Sequence, residues 1–476
     1  MIHNEQFFID GAWREPRSAE RLDVIDPATE ERVGRIAVAD EADVEAAVAA
    51  ARAAFESWSQ TDAQVRADAL DRIVVEYDAR VDALVEAVTS EMGAPLSFAR
   101  DVQTKMARER FVMASRLVRD YAFEERVGSS LVVREPVGVC AFITPWNWPL
   151  NQAASKIAYG LAAGCTMVWK PSEISPLSAV VLAEAIEAAG LPRGVFNLVQ
   201  GDGPGVGAAL ACHPDVDMVS FTGSTRGGIA VAKAAADSVK RVHQELGGKS
   251  ANLILPSADF EKAVAAGTKL CFRNTGQSCQ APTRMLVERH RIGEAAEIAR
   301  TAAEELKTGD PRQQGTDLGP LVSRAQWDKV QDLISSGIAD GATLVTGGPG
   351  KPDGLETGFY VRPTVLTDVT NDMRIAREEI FGPVLCLIGY EDEDEAIRIA
   401  NDTPYGLATY VSGSDAESLR RVARRIRVGR VYLNYAPAQG DVPFGGYKQS
   451  GNGREQGVHG LEDFTELKAV LGFEAA

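Results

Sequence analysis

Cysteine and histidine are scarce in this chain of 476 residues, which contains six cysteines and five histidines. The cysteines are scattered, with no Cys-x-x-Cys pair and no cysteine–histidine cluster at the spacing of metal ligands. We therefore expect neither a disulfide framework nor a zinc site, and no metal. Free thiols in a chain of this size are typical of a reduced compartment, so a cytoplasmic location is expected.

Long hydrophobic runs and an excess of positive charge are also missing. The longest nearly apolar stretch, 159–169, is too short to cross a bilayer, and residues 1–11 lack the basic and apolar regions of a signal peptide. Lys and Arg number 50 against 67 Asp and Glu, which gives a formal net charge of −17. A surface this acidic repels phosphate backbones and anionic lipid, so nucleic acid and membranes are not expected partners.

What is present is an ordinary globular composition, 45% hydrophobic and 25% charged, in a chain long enough for two or three domains. In the first third, apolar residues recur at helical spacing. Asp40 is a candidate cap for a helix that ends near Trp58, and two more helical regions are predicted over 64–92 and 97–121. This third is expected to be mostly helical and carries no chemical signal.

From residue 137 the pattern changes to short apolar runs separated by helix-like segments. Such alternation predicts a parallel, doubly wound α/β sheet, which binds ligands beyond the carboxyl ends of its strands. A second α/β region starts near residue 247, and a cleft is expected between the two. The predicted strands are 137–143, 166–169, 195–199 and 218–221 in the first region, and 252–255, 284–287, 343–345, 384–388, 409–412 and 430–433 in the second.

Unusual loops follow the four strands of the first region and should meet at one rim of the sheet. The glycine-rich loop 222–228 opens a helix, and it could bind an anion or simply make a tight turn. Lys170 and Glu173 could contact ribose hydroxyls or form a solvated pair, and a carboxylate beside the ribose favours NAD over NADP. The glycines at 201–207 do not form a P-loop.

Three further residues are candidates for chemistry, and each has a plain structural alternative. Cys279 lies among small polar residues and could be a nucleophile if its thiol pKa is lowered, although a lone cysteine is usually structural. Glu245, beside leucine and two glycines, is a candidate base or an ordinary helix-end glutamate. Asn147 could donate to an oxyanion or hold a rigid aromatic turn. His243 is interpreted as structural.

Seven blocks make the chain resemble the aldehyde dehydrogenase superfamily over essentially its whole length, in the hydrolytic, non-CoA-acylating branch that uses NAD(P). Each block is weak alone, but their order along the chain is highly specific. The blocks are Thr-Pro-Trp-Asn-Trp-Pro at 144–149, Lys-Pro-Ser-Glu at 170–173, Phe-Thr-Gly-Ser-Thr at 221–225, Glu-Leu-Gly-Gly-Lys at 245–249, Gly-Gln-Ser-Cys at 276–279, Glu-Glu-Ile-Phe-Gly-Pro at 378–383 and Pro-Phe-Gly-Gly-Tyr-Lys at 443–448.

The resemblance implies a role for each matching residue. It makes Cys279 the nucleophile that forms a thiohemiacetal and then a thioester, and Glu245 the base that activates water. Asn147 and the backbone N–H of Cys279 would form the oxyanion hole, with Lys156 and Glu455 in a proton relay. The implied cofactor contacts are Thr144, Pro145, Trp146, Asn147, Lys170, Ser172, Glu173, Gly203, Gly207, Phe221, Gly223, Ser224, Gly228, Leu246, Glu379 and Phe381. The implied substrate tunnel is lined by Trp148, Gln152, Ser155, Ser278, Gln280 and Ala438.

The resemblance also implies an architecture of the aldehyde dehydrogenase type. A Rossmann-type parallel-sheet domain for NAD(P) would comprise 1–117 and 137–246, and an α/β catalytic domain would comprise 247–446. A small β oligomerisation extension with the tail would comprise 118–136 and 447–476. The segment 463–472 would add an edge strand to a neighbouring subunit in a homodimer or homotetramer.

The expected substrate is a bulky or polar-tailed aldehyde, such as an oxo-acid, a semialdehyde or an aryl aldehyde. Ser155 replaces an aromatic residue that is common in relatives acting on small aldehydes. NAD is the expected cofactor, and NADP stays open. Three alternatives also stay open. The first is a CoA-acylating enzyme, although that branch usually lacks a base at the position of Glu245. The second is a cysteine esterase or amidase that uses Cys279 with His243 or His290, and the third is a non-catalytic scaffold.

Overall fold

Two large β-sheets covered by helices form the body of the protein, in a computed structural model that describes residues 3–473. The ends of the expected domains, 1–2 and 474–476, lie outside the described residues. In the described part the strands are β1 (Phe7–Ile9), β2 (Ala12–Arg14), β3 (Arg21–Ile25), β4 (Arg32–Ala37), β5 (Glu124–Val127), β6 (Ser130–Pro136), β7 (Val139–Ile143), β8 (Thr166–Lys170), β9 (Phe196–Leu198), β10 (Met218–Thr222), β11 (Arg241–Glu245), β12 (Ala251–Ile254), β13 (Arg284–Glu288), β14 (Thr343–Thr346), β15 (Thr364–Thr367), β16 (Val384–Tyr390), β17 (Ala408–Ser412), β18 (Arg430–Leu433), β19 (Gly451–Asn452) and β20 (Thr465–Val470). The helices are α1 (Glu41–Trp58), α2 (Ala63–Asp78), α3 (Val81–Met92), α4 (Leu96–Phe98), α5 (Lys105–Asp120), α6 (Pro149–Ala163), α7 (Leu177–Ala188), α8 (Ala208–Cys212), α9 (Thr225–Ala235), α10 (Phe260–Phe272), α11 (Ile292–Glu304), α12 (Arg324–Ala339), α13 (Arg374–Arg377), α14 (Glu393–Asn401), α15 (Ala416–Arg425) and α16 (Gly457–Glu462).

The first large sheet runs in the order β19-β11-β10-β7-β8-β9-β1-β2. Strands β11, β10, β7, β8 and β9 are parallel, so their carboxyl ends lie at one edge. Because both faces of this part are covered, β7 and β8 are buried at every residue and read as continuous apolar runs. The four strands predicted here are confirmed, and the loops that follow them meet at one rim.

The second large sheet runs in the order β14-β15-β16-β13-β12-β17-β18 and is parallel except at β14. The six strands predicted in this region are confirmed, and β15 is a strand that the apolar pattern did not predict. Only the turn 246–250 separates β11 of the first sheet from β12 of the second. This turn therefore lies where the two sheets meet.

A smaller antiparallel sheet, β20-β6-β5, is built from 124–136 and 465–470. The tail strand β20 pairs with β6 of its own chain, from Thr465 opposite Pro136 to Val470 opposite Leu131, and it lies at the edge of the sheet, so its predicted addition to a neighbouring subunit stays a prediction. One edge of the tail strand is thus already hydrogen-bonded within the chain. The residues before it join the first sheet, where β19 pairs with β11 and α16 packs on α5 and α6.

The helices of the first third follow the predicted periodicity with two changes. The helix predicted over 64–92 is divided into α2 and α3, and the one over 97–121 is made of α4, a π-helical segment Ala99–Thr104 and α5. Helix α1 begins as predicted, since Asp40 accepts the N–H of Asp43 while the Asp43 side chain accepts the N–H of Asp40. Within the described residues, no helix is long and apolar enough to cross a membrane.

The first third is less helical than predicted, because it also contains β1 to β4. Strands β1 and β2 extend the first large sheet, and β3 pairs with β4 alone. These strands are only three to six residues long, and β2 and β3 are largely charged or exposed. Such short segments carry little periodic signal, which explains why the apolar pattern missed them.

Loss of the α1 cap should destabilise the helix locally. Asp40→Ala removes the acceptor for the Asp43 N–H, and loss of an N-cap side chain costs about 1 kcal/mol of folding stability. We expect faster hydrogen exchange at the first-turn amides of α1 and a lower thermal midpoint. Asp62→Ala is the matched control, because Asp62 is the N-cap of α2 but makes no side-chain cap hydrogen bond. Equal effects of the two variants would contradict the role assigned to the Asp40 carboxylate.

Candidate active site

Cys279 lies where two cavities meet between the large sheets. Gln152 also lines both cavities. The first cavity opens at the carboxyl ends of β10 and β11, and its other lining residues are Pro145, Trp146, Asn147, Thr222, Gly223, Ser224, Glu245, Leu246, Gly247, Gln326, Lys329, Glu379 and Phe381. The second runs past α5 and β18. A molecule in one cavity would therefore meet a molecule in the other at the thiol.

A loop in an unusual backbone conformation presents this thiol. Asn274, Thr275 and Gly276 have consecutive φ angles of 58°, 55° and 70°, in the left-handed region that a β-branched residue such as threonine rarely adopts. The Asn274 side chain holds the loop in place, since its amide donates to the carbonyls of Asn147 at 3.0 Å and Gln277 at 3.2 Å. The conformation is thus stabilised by contacts with the loop after β7.

The turn between β11 and β12 lies against the nucleophile loop. A Cβ on Gly248 would come within 2.4 Å of the Cys279 carbonyl oxygen, so this contact requires glycine. The Gly248 N–H donates to Oε1 of Glu379 at 2.9 Å. A Cβ on Gly247 would lie 2.5 Å from Oε2 of the same carboxylate. The two glycines therefore let the backbone approach both the loop that carries Cys279 and the partly buried carboxylate of Glu379.

Asn147 is buried beside Cys279, as the oxyanion role requires. Its Nδ2 donates to the Gln277 carbonyl at 3.1 Å, which fixes the orientation of the amide. An amide nitrogen carries two N–H donors, and the other has no partner among the described residues. It is therefore free to donate to an oxygen bound in the first cavity.

Cys279 rests as a thiol rather than a thiolate. Burial raises the pKa of this thiol well above its usual range, and the carboxylates of Glu379, Glu245 and Glu455 raise the pKa further. The lowered pKa that would activate a lone cysteine is thus absent from the surroundings that the described residues provide. A neighbouring base must take the proton before the sulfur can attack.

Glu245, the predicted base, lines the first cavity together with Cys279. Its side chain is 3% exposed at the end of β11. Burial raises the pKa of this carboxyl to about 7, against the lowering effect of His243, and Glu455 adds to the rise while Lys156 reduces it. A carboxyl with such a pKa can both accept and release a proton near neutral pH.

The two predicted relay residues lie together beside this base. Lys156 Nζ is 2.8 Å from Oε1 of Glu455 and donates to the Ser220 hydroxyl at 2.9 Å, and all three side chains are buried. Glu455 also lines the second cavity. The pair is thus placed between the base and the substrate side of the site.

The loop after β10 forms one wall of the first cavity. Ser224 caps α9 by accepting the Gly227 N–H at 3.1 Å, which leaves the helix N-terminus at the cavity. The Gly223 N–H donates to the Glu245 carbonyl at 3.0 Å, so this loop is tied to β11. Leu246 packs on Gly228, where a Cβ would lie 2.6 Å from the leucine side chain. Free N–H groups at a helix N-terminus suit a phosphate.

Two aromatic rings and a carboxylate close the inner end of the cavity. The Trp146 and Phe381 rings meet edge to face, with centroids 5.3 Å apart. Phe381 has a φ of 62°, and its carbonyl accepts from the Gln326 side chain at 2.9 Å. Glu379 Oε1 takes the Gly248 N–H, and Oε2 has no hydrogen-bond partner in the described part of the chain. That oxygen is available for the hydroxyls of a ligand.

The remaining predicted cofactor contacts lie farther along the rim or outside the cavity. Lys170 Nζ is 3.2 Å from Oε2 of Glu173, and a Cβ on Gly207 would be 3.8 Å from the lysine side chain. Burial lowers the pKa of Lys170, and Glu173 opposes that fall. The other predicted contacts are Phe221, Gly203, Ser172 and Thr144. The Phe221 ring lies against Gly223, and Gly203 starts a π-helical segment. The Ser172 hydroxyl accepts the Ile174 N–H, and the Thr144 hydroxyl accepts from the Trp169 indole.

The second cavity contains most of the predicted tunnel. Trp148, Ser278, Gln280 and Ala438 line it together with Gln152, and the Trp148 indole donates to the Ser278 hydroxyl at 3.0 Å. Ser155 lines neither of the two cavities, because its buried side chain sits within α6. The widening of the tunnel expected from Ser155 is therefore not visible at the cavity wall.

The sequence did not indicate three arginines that line this cavity. Arg110 is buried and donates to Asn151 at 3.1 Å, Arg430 donates to backbone carbonyls and to Gln456, and Arg273 lies at the mouth. None of the three has a carboxylate within ion-pair distance among the described residues. Arg110 and Arg273 are 163 positions apart in the sequence, and Arg273 and Arg430 are 157 positions apart. Such separations give no local sequence pattern, so only the fold brings the three arginines together.

The family profile described as the aldehyde dehydrogenase family matches residues 13–470 of this chain. The chain belongs to the aldehyde dehydrogenase family. As a member of that family it is an enzyme of the oxidoreductase class that acts on aldehydes. Membership also fits the α/β architecture with two large sheets described above.

Relatives and solved structures agree with this assignment. The chain is 53% identical over 477 residues, the full length of both proteins, to a 3-succinoylsemialdehyde-pyridine dehydrogenase from a Pseudomonas species. Its structure matches aldehyde dehydrogenase C from Pseudomonas syringae, in complex with NAD+ and octanal, with a TM-score of 0.99 at 54% identity, covering 100% of this chain and 98% of that one. A betaine aldehyde dehydrogenase from Staphylococcus aureus, in complex with NAD+, matches with a TM-score of 0.95 at 37% identity, covering 98% and 94%.

Neither histidine of the esterase alternative lies at the thiol. His290 is exposed in a short segment after β13, and His243 lines neither of the two cavities at Cys279. A cysteine hydrolase of that kind needs an imidazole within hydrogen-bond reach of the sulfur. The structure therefore gives no support to that reading.

The protonated state of Cys279 should be visible in its alkylation rate. With iodoacetamide at pH 7 and no ligand, we expect exposed Cys212 to react first and Cys279 slowly. The Cys279 rate should rise about tenfold for each pH unit below the thiol pKa, because only the thiolate reacts. Mass spectrometry of tryptic peptides gives both rates, with Cys212→Ser as the control. Rapid labelling of Cys279 that is independent of pH above 7 would contradict the raised pKa.

Proposed function

We propose that this enzyme oxidises an aldehyde to the carboxylic acid with NAD+, through a thioester on Cys279 that is hydrolysed by water activated by Glu245. The observation that carries the proposal is the position of Cys279 at the junction of two cavities, the first of which is also lined by Asn147 and Glu245. The complexes of two relatives with NAD+ support the choice of cofactor.

The first half of the reaction uses the thiol and the amide. The aldehyde enters through the second cavity, Glu245 takes the Cys279 proton, and the sulfur attacks the carbonyl carbon to give a thiohemiacetal. Asn147 Nδ2 and the Cys279 N–H donate to the oxygen as its negative charge develops, which stabilises the transition state. NAD+ supplies the acceptor for the hydride that leaves this carbon, and a thioester remains on the sulfur.

The second half of the reaction uses the carboxylate. Glu245, with a pKa of about 7, releases the thiol proton toward solvent and then takes a proton from the water that attacks the thioester carbon. The acid leaves and the Cys279 sulfur regains its proton. The buried Lys156–Glu455 pair beside the base provides a route for the proton toward the second cavity.

The first cavity has the donors and acceptors that a dinucleotide needs. The α9 N-terminus capped by Ser224 fits the pyrophosphate, the free oxygen of Glu379 fits a ribose hydroxyl, and the Phe381 ring fits the nicotinamide. Glu173, beside Lys170 on the rim, would accept from the adenosine ribose and repel a 2′-phosphate. We therefore expect NAD+ to be preferred over NADP+.

The wider assignments from the sequence are part of the same proposal. The cofactor domain comprises 1–117 and 137–246, the catalytic domain 247–446, and the extension with the tail 118–136 and 447–476, although 451–462 pack with the first sheet. The enzyme works in the cytoplasm as a homodimer or homotetramer. The free state of all six cysteines and the exposed outer edge of the small sheet support these assignments.

The unpaired arginines indicate the substrate class. In a chain with a net charge of −17, Arg110 and Arg430 face the second cavity without a carboxylate partner in the described residues. A buried guanidinium is stabilised by a carboxylate, and a carboxylate-tailed aldehyde would supply one. The stacked rings of Tyr410 and Tyr432, 4.8 Å apart, leave an apolar wall for its chain. We therefore propose oxo-acids as the favoured aldehydes.

Three variants separate the proposed steps. Cys279→Ala should abolish NADH formation, by about 10³-fold or more. Glu245→Gln should slow both the burst of NADH and steady turnover by about 10²-fold, since the Cys279 thiol and the hydrolytic water then lose the same base. Asn147→Ala should slow the burst itself by about 10²-fold. Stopped-flow absorbance of NADH measures all three.

Other outcomes of this experiment would favour the remaining alternatives. Turnover that requires CoA would identify an acylating enzyme. Ester hydrolysis by the wild type in the absence of cofactor, with no oxidation of an aldehyde, would identify a hydrolase. NAD+ binding without oxidation of any aldehyde in a broad panel would favour a scaffold. Each of these results would overturn the proposal.

The substrate proposal predicts a selective effect at Arg110. Arg110→Met should raise KM for an aldehyde with a terminal carboxylate by about tenfold or more, because a charge-assisted hydrogen bond is lost. KM for an alkyl aldehyde of equal length should stay unchanged. Arg116→Met, an exposed position on the same helix, is the control. Wild-type preference for the uncharged aldehyde in kcat/KM would refute the oxo-acid assignment.

A further inference from the structure

One face of β11 connects the proposed base to the C-terminal tail. Side chains alternate along a strand, so Arg241, His243 and Glu245 point to the same side. Arg241 donates to the backbone carbonyls of Asp463 at 2.8 Å and Thr465 at 2.9 Å, where α16 leads into β20. The strand that ends in the active site is therefore in contact with the tail at its other end.

His243 lies between two carboxylates on this face. Its Nδ1 is hydrogen-bonded to Oδ2 of Asp463, and its Nε2 lies 3.5 Å from Oε1 of Glu245. The side chains of His243 and Glu245 are 1% and 3% exposed. Gly453 leaves room for the pair, because a Cβ there would be 2.9 Å from the imidazole and 3.1 Å from the Asp463 carboxylate. The contact is thus enclosed rather than incidental.

The surroundings keep this imidazole charged near neutral pH. Burial alone would lower the pKa of His243, but the hydrogen bond and charge of Asp463, together with the nearby Glu245 carboxyl, outweigh it and raise the pKa to about 9. Lys156 acts in the opposite direction on His243. Two other charged groups next to the site have partners of their own. Glu455 pairs with Lys156, and Arg454 donates to backbone carbonyls.

Glu245 has few other interactions that could set its state. Neither of its oxygens has a hydrogen-bond partner within 3–473, so His243 is its one direct ionic contact there. A separation of 3.5 Å is longer than a typical N–H···O hydrogen bond, which leaves the carboxylate free to turn toward Cys279. The imidazole thus acts on the carboxylate through its charge and its proximity rather than through a short hydrogen bond.

We propose that His243 is a positioning residue for Glu245, and that with Asp463 it holds a buried positive charge beside the base and makes the ionisation of the base depend on the docked tail. The proposal rests on the proposed role of Glu245. The competing interpretation is that His243 only fixes the tail to β11. In that case its loss would lower stability and leave the ionisation of Glu245 unchanged.

A first experiment tests the charge network without relying on catalysis. Titration of isotope-labelled histidine in the wild-type enzyme by NMR should show one imidazole, absent from His243→Gln, that stays protonated through pH 8. Asp463→Asn and Glu245→Gln should each lower its midpoint by about one pH unit or more, since each removes a neighbouring charge. Titration of His243 near the pH that is ordinary for a histidine, or midpoints unmoved by both variants, would overturn the proposal.

A second experiment tests the effect on the base. His243→Gln removes a charge that lowers the Glu245 pKa, so the acid limb of the pH profile for steady turnover should move up by about one unit. The rate below the limb should fall by about tenfold, while the burst of NADH keeps its amplitude. Asp463→Asn should move the limb in the same direction. A limb that stays in place in both variants would overturn the proposal.

Arg241→Gln is the matched control, because Arg241 shares the strand face and contacts the tail but does not touch Glu245. It should lower thermal stability and leave the acid limb in place. A shift of the limb in Arg241→Gln equal to that in His243→Gln would show a general effect of tail loosening and overturn the specific role. If no aldehyde is oxidised, the proposed function fails alone, and the NMR titration still decides the charge network.

Discussion

The structure depends on one close approach, where the turn between the two large sheets meets the nucleophile loop. Gly248 can lie against the Cys279 carbonyl only because it has no side chain, and its N–H holds Glu379. The Ser450 hydroxyl donates to the Gly247 carbonyl at 2.6 Å, and the Leu246 N–H donates to the Ser450 carbonyl at 2.9 Å. The turn therefore fixes the spacing between base, thiol and cofactor cavity in a single element.

Burial of the site beside this turn controls the order of proton transfers. The same exclusion of water raises the pKa of the Cys279 thiol and brings that of Glu245 to about 7. In the proposed mechanism, the resting thiol is protected from unwanted reactions, and the carboxyl takes its proton when an aldehyde is present. Arg110 adds positive charge to the second cavity, and His243 adds it next to Glu245.

The sequence was sufficient for the architecture and for the central residues. Strands such as β7 and β8 are buried on both faces and appear as unbroken apolar runs, and the motif residues Asn147, Glu245 and Cys279 converge as expected. Strand β11 was missed because its residues Arg-Val-His-Gln-Glu carry no apolar pattern. His243 was interpreted as structural, and its contact with Asp463, 220 positions away, gives no local signal. The pairing of β20 with β6 likewise depends on a register that no local signal encodes.

Long-range contacts of this kind also decide how the molecule acquires its activity. Asn147 meets Gln277 across 130 positions, and Lys156 meets Glu455 across 299. Contacts between distant segments form late in folding, because the intervening chain loses its conformational freedom before the contact is made. Binding pockets, reactive thiol and base are therefore completed together at the end of folding. A partly folded chain should therefore have no partial activity. The activity recovered in a refolding reaction should report the fully native population.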